Sequence, residues 1–134
     1  MTNVAYEIDT LDITMLAARD LSSYQYCFVK VSADNTVDYA TAGTDKILGI
    51  LQNKPAAAGD SARVRVFGVS RLVCVDTSVS YGDWVTATDN ASYKGQGVAT
   101  TTGKDVVPGF CLQGADTAHE VAVVMLSGPQ TLSA

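Results

Sequence analysis

The sequence predicts an all-β protein: a compact β-barrel or sandwich built from two similar β units, with an extended N-terminal arm. Three observations predict it. Valine outnumbers leucine by 17 to 9, and Thr, Ser and Gly are abundant, a balance that suits strands joined by tight turns. No 12-residue segment shows a convincing 3.6-residue period, whereas "ARVRVFG" alternates strictly, with Val64 and Val66 on one face and Arg63 and Arg65 on the other. The chain also repeats itself. "VDYATAGTDKILGI" (37–50) returns sixty positions later as "GVATTTGKDVVPGF" (97–110), matching Thr41 with Thr101, Gly43 with Gly103, Asp45 with Asp105 and Gly49 with Gly109. The correspondence extends without a gap over units 22–68 and 82–128, with Tyr24 over Trp84 and Gly68 over Gly128. Two copies are too few for a solenoid and suit two β units packed as one domain.

Residues 1–20 stand outside the repeat. This arm carries Tyr6, Ile8, Leu11, Ile13, Met15 and Leu16 among four carboxylates and Arg19. Such an arm is either a strand closing the sheet or a segment reaching onto another subunit. Within it "ITMLAARDL" (13–21) has the composition for one or two helical turns. The body spans 21–128. Its first unit offers a strand "YQYCFVKVS", a turn "ADNT", a strand "KILGILQ", a loop "NKPAAAGDS" and the strand "ARVRVFG". Gly68 then marks a bulge or tight corner before a separate strand in "VSRLVCVDTS" (69–78). The second unit runs "DWVTAT", "DNASYKGQG", "VVPGFCLQ", "GADTAHE" and "VAVVMLSG". The last of these is apolar on both faces and should be covered on both, by the core or by a neighbouring chain. Residues 129–134 form a short polar tail.

The 134 residues, 47% of them apolar, suffice for one domain with one real core. Charged residues make up only 17%, below the usual quarter, and mean hydropathy is +0.14, so part of the surface serves something other than solvation. A net charge of −5 and a pI near 4.5 argue against a nucleic-acid partner. No run of 18 apolar residues predicts a membrane span, and the start of the chain lacks the basic-then-apolar order of a secretion signal.

The sequence offers little chemistry. Cys27, Cys74 and Cys111 each lie in apolar, strand-like runs and read as reduced core residues; the lone His119 sits in a turn-like stretch. Asp34, Asp38, Asp60, Asp76, Asp83, Asp89 and Asp116 stand in turn contexts, where a carboxylate caps backbone N–H groups. Phosphate-loop, nucleophile-elbow and zinc-protease motifs are missing, and "DTSVSYGDWVTATDNAS" lacks the spacing of a calcium loop. We therefore expect no catalytic residues, no cofactor and no metal. Arg63, Arg65 and Arg71 are three of nine basic residues on one or two adjacent strands, either a solvated face or a cationic stripe meeting acidic patches of another protein. Tyr81, Trp84 and Tyr93 cluster near the start of the second unit, and such aromatics serve as core or as interface anchors. The candidate protein-contact residues are Tyr6, Ile8, Leu11, Ile13, Met15, Leu16, Arg63, Arg65 and Trp84.

The blocks "DLSSYQYCFVKVS", "ILGILQNKPAAAGDSARVRVFGVSRLV", "VSYGDWVTATDNA" and "VVPGFCLQGADTAHEVAVVML", in this order and spacing, resemble the capsid cement, or head decoration, proteins of tailed bacteriophages. The resemblance covers about Asp20 to Leu126, and its most specific parts are "LGILQNKPAAAGD" with the valine alternation after it, and "GDWV". It implies a small, β-rich, non-enzymatic protein on the outer capsid surface of the virion. Its partners would be the major capsid protein and its own copies, commonly as a homotrimer, reinforcing the shell against packaged DNA. The stretch "DTSVSYGDW" departs from the small residues usual in that family. On this reading the arm docks, and removing residues 1–16 leaves a folded body that no longer decorates heads. Two rivals are a carbohydrate- or receptor-binding β module of a virion appendage and a small hydrolase using scattered Asp.

Overall fold

A computed structural model describes residues 10–100 and 109–127. Nine strands are present among them: β1 (Leu11–Ala17), β2 (Phe28–Ala33), β3 (Thr36–Tyr39), β4 (Ile47–Leu51), β5 (Ser61–Val73), β6 (Trp84–Ala87), β7 (Gly97–Ala99), β8 (Gly109–Gln113) and β9 (Val121–Ser127). Helices are lacking in the described residues, so the all-β prediction holds.

The strand order is β1-β3-β2-β4-β5-β9-β8-β6-β7, and β1 also pairs with β5. That second pairing closes β1, β3, β2, β4 and β5 into a five-stranded barrel, while β9, β8, β6 and β7 continue the sheet from β5, and a parallel bridge Cys74↔Gly97 links β7 back to the residue after β5. Of the two roles expected for the arm, residues 11–17 take that of a closing strand. Their pairing is antiparallel with β5 from Leu11↔Phe67 to Leu16↔Ser61 and parallel with β3 at Leu16↔Thr36. The helical turns expected over 13–21 are therefore absent. Met, Leu and Ala prefer a helix by only a few tenths of a kcal/mol each, roughly, and a ladder on both edges of the strand outweighs that. Removing residues 1–16 would thus strip most of a barrel strand rather than a free arm.

Two buried clusters explain the sequence pattern. Inside the barrel lie Ala17, Leu21, Val29, Val37, Leu51, Ala62 and Val64, with Ile13 and Met15 packed against them. Between the barrel wall and the sheet of β9, β8, β6 and β7 lie Phe28, Ile47, Ile50, Leu72, Val85, Cys111, Val124 and Leu126, among others. Neighbours such as Phe28 and Val29, or Ile50 and Leu51, point into different clusters, so β4 and the first two residues of β2 read as unbroken apolar runs rather than alternating ones. Each fully buried side chain of this size contributes about 1.5–3 kcal/mol. The three cysteines are free and buried, as expected.

β5 was expected as two strands and is one. It crosses Gly68, whose φ of 101° only glycine adopts freely, and ends at Val73 rather than Ser78. Its first half belongs to the barrel, and its second half pairs with β9 from Phe67↔Ser127 to Val73↔Val121. One strand thus carries the same outward face, the odd-numbered residues from Arg63 to Val73, across both layers.

The pairing order β3-β2-β4-β5 on one side recurs as β7-β6-β8-β9 on the other. The registers Ile50↔Arg65 and Phe110↔Met125 differ by sixty on both strands (110 − 50 and 125 − 65). In front of them the offset is different: Phe28↔Ile50 answers to Trp84↔Phe110, so β6 lies fifty-six residues after β2 (84 − 28). The pairings therefore set Trp84 against Phe28, not Tyr24, and the second half is tied back to the end of β5 by the single bridge Cys74↔Gly97 where the first half has the full β1–β5 ladder.

Candidate docking face

On the outward side of β5, Arg63, Arg65, Phe67, Val69 and Arg71 follow one another at every second residue. Cross-strand partners extend this row sideways. Val69 faces Met125 on β9, Met125 faces Phe110 on β8, and Phe110 faces Trp84 on β6. Residues directly opposite share a face, so one stripe crosses four strands. Trp84 and Phe110 meet edge to face, with centroids 5.1 Å apart. Leu11 faces Phe67 at the barrel end of the row. Leu11, Phe67, Trp84, Phe110 and Met125 each keep between 36% and 54% of their surface exposed, a contiguous apolar area of the kind that marks an interaction site.

Within the single chain the core covers one of the two apolar faces of "VAVVMLSG", which leaves the other for the neighbouring chain of the expectation. Ala122, Val124 and Leu126 are buried, while Val121 and Met125 on the other face are exposed. The second apolar face of β9 has no cover among the described residues.

The arginines edge the stripe. Arg65 donates from Nε to Asp12 Oδ1 (2.8 Å), from Nη2 to Asp12 Oδ2 (3.1 Å) and from Nη1 to the Val69 carbonyl (3.1 Å). Arg63 approaches the same carboxylate at 3.4 Å with its side chain largely exposed. The hydrogen bonds from Arg65, opposed by partial burial and aided by the charges of Arg65 and Arg63, hold the Asp12 carboxyl below the usual carboxylate range. Arg71 lies over the Tyr26 ring, 5.6 Å from its centroid.

Of the sequence-predicted contact residues, Leu11, Arg63, Arg65 and Trp84 fall on this face. Ile13 and Met15 pack on the barrel core, and Leu16 is exposed at the opposite end of β1, facing Ser61. Tyr6 and Ile8 lie outside the described residues. Phe67, Phe110 and Met125 were not foreseen. The signal for Phe67 was the alternation of β5, and that for Phe110 and Met125 the period-two pattern of β8 and β9, hidden because apolar residues fill both faces of β9.

Among the described residues no cluster of His, Cys, Asp or Glu that could hold a metal competes with this face. The Asp76 and Asp83 carboxylates accept hydrogen bonds from the backbone N–H groups of Ser78 and Ser80, the capping role expected of them. The side chain of His119 contacts Gln96 (Nδ1 to Oε1, 2.8 Å) and stacks on Tyr93.

A family model described as phage cement protein matches residues 6–126 of the sequence. The chain belongs to the phage cement protein family. Its fold is similar to that of the N base of the head fiber gp8.5 of bacteriophage phi29, with a TM-score of 0.57 and 16% identity over 91% of this chain and 98% of that one. It is also similar to a chain in the capsid of Myoviridae phage XM1, with a TM-score of 0.63 and 19% identity over 93% of this chain and 86% of that one. No curated protein matches the sequence. As a cement protein, the chain has a structural role associated with the virion capsid.

Proposed function

We propose that this cement protein binds the outer surface of the major capsid lattice as a homotrimer and stabilises the head, docking through the stripe from Leu11 and Phe67 to Trp84. The observation that carries this reading is the exposed apolar row Val69–Met125–Phe110–Trp84, on a chain whose family is named for cementing phage particles. Each contact is modest, but copies bridging neighbouring capsomers add their contributions without new chemistry. The net charge of −5 favours the outside of a DNA-filled shell over the inside. A glycan-binding platform is less well supported, because Trp84 and Phe110 meet at 72° instead of offering coplanar rings to a sugar. The test is co-sedimentation of the purified chain with heads lacking it. Saturable binding that raises the temperature of head disruption is expected, and failure to co-sediment would overturn the reading. Native mass spectrometry should give about 42 kDa (3 × 14.0 kDa) for the trimer, and a 14.0 kDa species alone would remove that part.

A further inference from the structure

Beside the apolar stripe lies a cavity of about 480 Å³ lined by Tyr26, Gln52, Arg63, Arg65, Ser70 and Arg71, with Val69 and Val123 at its apolar edge. Three of the nine basic residues of an acidic chain meet here. Among the described residues the Asp12 carboxylate pairs with two of them, which leaves a local charge of +2 (3 − 1).

The three guanidiniums are not equivalent. Arg65 spends its donors on Asp12 and the Val69 carbonyl and acts as a fixed strut. Among the described residues the Arg63 side chain has only its 3.4 Å approach to Asp12. Among the described residues Arg71 makes no ion pair and is held by the Tyr26 ring. The floor is built, too. Gln52 Nε2 donates to Ser70 Oγ (2.9 Å) and to the Ile50 carbonyl (3.1 Å), and both Gln52 and Ser70 are buried. Tyr26 has a φ of 64°, uncommon for a bulky residue, and is pinned from both sides. Its N–H donates to the Leu51 carbonyl (2.7 Å) and its carbonyl accepts from the Val73 N–H (2.8 Å). Strain of this kind persists where the surroundings fix it, and here it seats the ring under Arg71.

A planar guanidinium fork matches a carboxylate, as Arg65 and Asp12 already demonstrate within the chain. A charge of +2 on a chain of net charge −5 suits one or two carboxylates, whereas a phosphate chain calls for a longer row of Lys and Arg than these three. The apolar edge at Val69 and Val123 accommodates the residues flanking such a group. We propose that the cavity is a receptor for an acidic side chain on an extended segment of a partner protein. Resting on the function proposed above, that partner is the capsid shell.

The test has two arms, both on the full chain. In the first, the arginine Nε–Hε NMR signals are followed with the peptide Ac-Ser-Val-Glu-Val-Ser-NH2, its Gln counterpart and sodium phosphate at matched ionic strength. The Glu peptide should shift the Arg63 and Arg71 signals saturably, and the other two should not. Equal shifts with the Gln peptide or with phosphate would overturn the carboxylate assignment. In the second arm, Arg71→Glu and Arg71→Gln are compared with the unmodified chain for head binding at low salt. Losses of about tenfold or more for Glu and severalfold for Gln are expected at unchanged melting temperature. Unchanged head binding by both variants would overturn the proposal. If the unmodified chain fails to bind heads, the docking function falls, while the peptide arm still decides the cavity.

Discussion

Arg65 holds Asp12 at two points, Nε to Oδ1 at 2.8 Å and Nη2 to Oδ2 at 3.1 Å, across the seam where β1 closes the barrel onto β5. The same contact fixes one wall of the arginine cavity, so closure of the fold and shaping of the docking face depend on one carboxylate.

Asp12→Asn removes that charge while keeping the shape. Arg65 lowers the Asp12 pKa in the folded chain, so the pair's contribution is fully present above the unfolded carboxylate value. It is lost as pH falls through the lowered folded value. Melting curves should show Asp12→Asn less stable by about 1 kcal/mol at pH 7, a figure kept small because the pair is partly solvated. The two proteins should converge once pH lies below that lowered folded value. Parallel curves down to pH 2 would mean that the contact carries no pH linkage.

Gly49 is constrained by the strand beside it. A Cβ there would lie 2.1 Å from the Arg65 carbonyl oxygen, backbone that cannot swing aside. Gly49→Ala should destabilise by about 2–3 kcal/mol or more in urea unfolding. Gly109, where the corresponding distance to the Met125 carbonyl is 2.9 Å, should tolerate alanine better. Equal losses at both positions would contradict this.

Much of this fold is legible in the sequence, for local reasons. The alternation of Arg63 to Val66 gives the strand and its two faces, Gly68 marks the bend, and the turn "ADNT" becomes a two-residue connection with Asn35 at φ 52°. What is not legible is set by distant partners. Ile13 and Met15 look like part of a free arm until β5 pairs with them, and Met125 looks like core until the layer facing it proves absent among the described residues. Arg63, Arg65 and Arg71 stand out as a set, but Tyr26 and Gln52 come from other segments, and nothing local assigns them to the same cavity.

The cysteines should be silent in the native protein. Burial pushes the Cys27 and Cys74 thiols up to about 12 and raises that of Cys111, leaving almost no thiolate at neutral pH. Ellman's reagent at pH 8 should label none of the three within minutes and all three in denaturant. Rapid native labelling would show that one of these sites opens.

The apolar stripe separates binding from stability. Met125 and Trp84 are only partly buried, so Met125→Ser and Trp84→Ala should each change unfolding free energy by about 1 kcal/mol or less. Each should weaken head binding about tenfold or more, as truncation of an interface anchor does. Full head binding by the double variant would move the interface elsewhere.

Cryo-electron microscopy of heads saturated with the purified chain addresses the central claim directly. The account predicts density on the outside of the shell, with the row from Leu11 and Phe67 to Trp84 turned toward a protein neighbour and covered by it. Heads without added density, or bound copies that leave this row facing solvent, would contradict it.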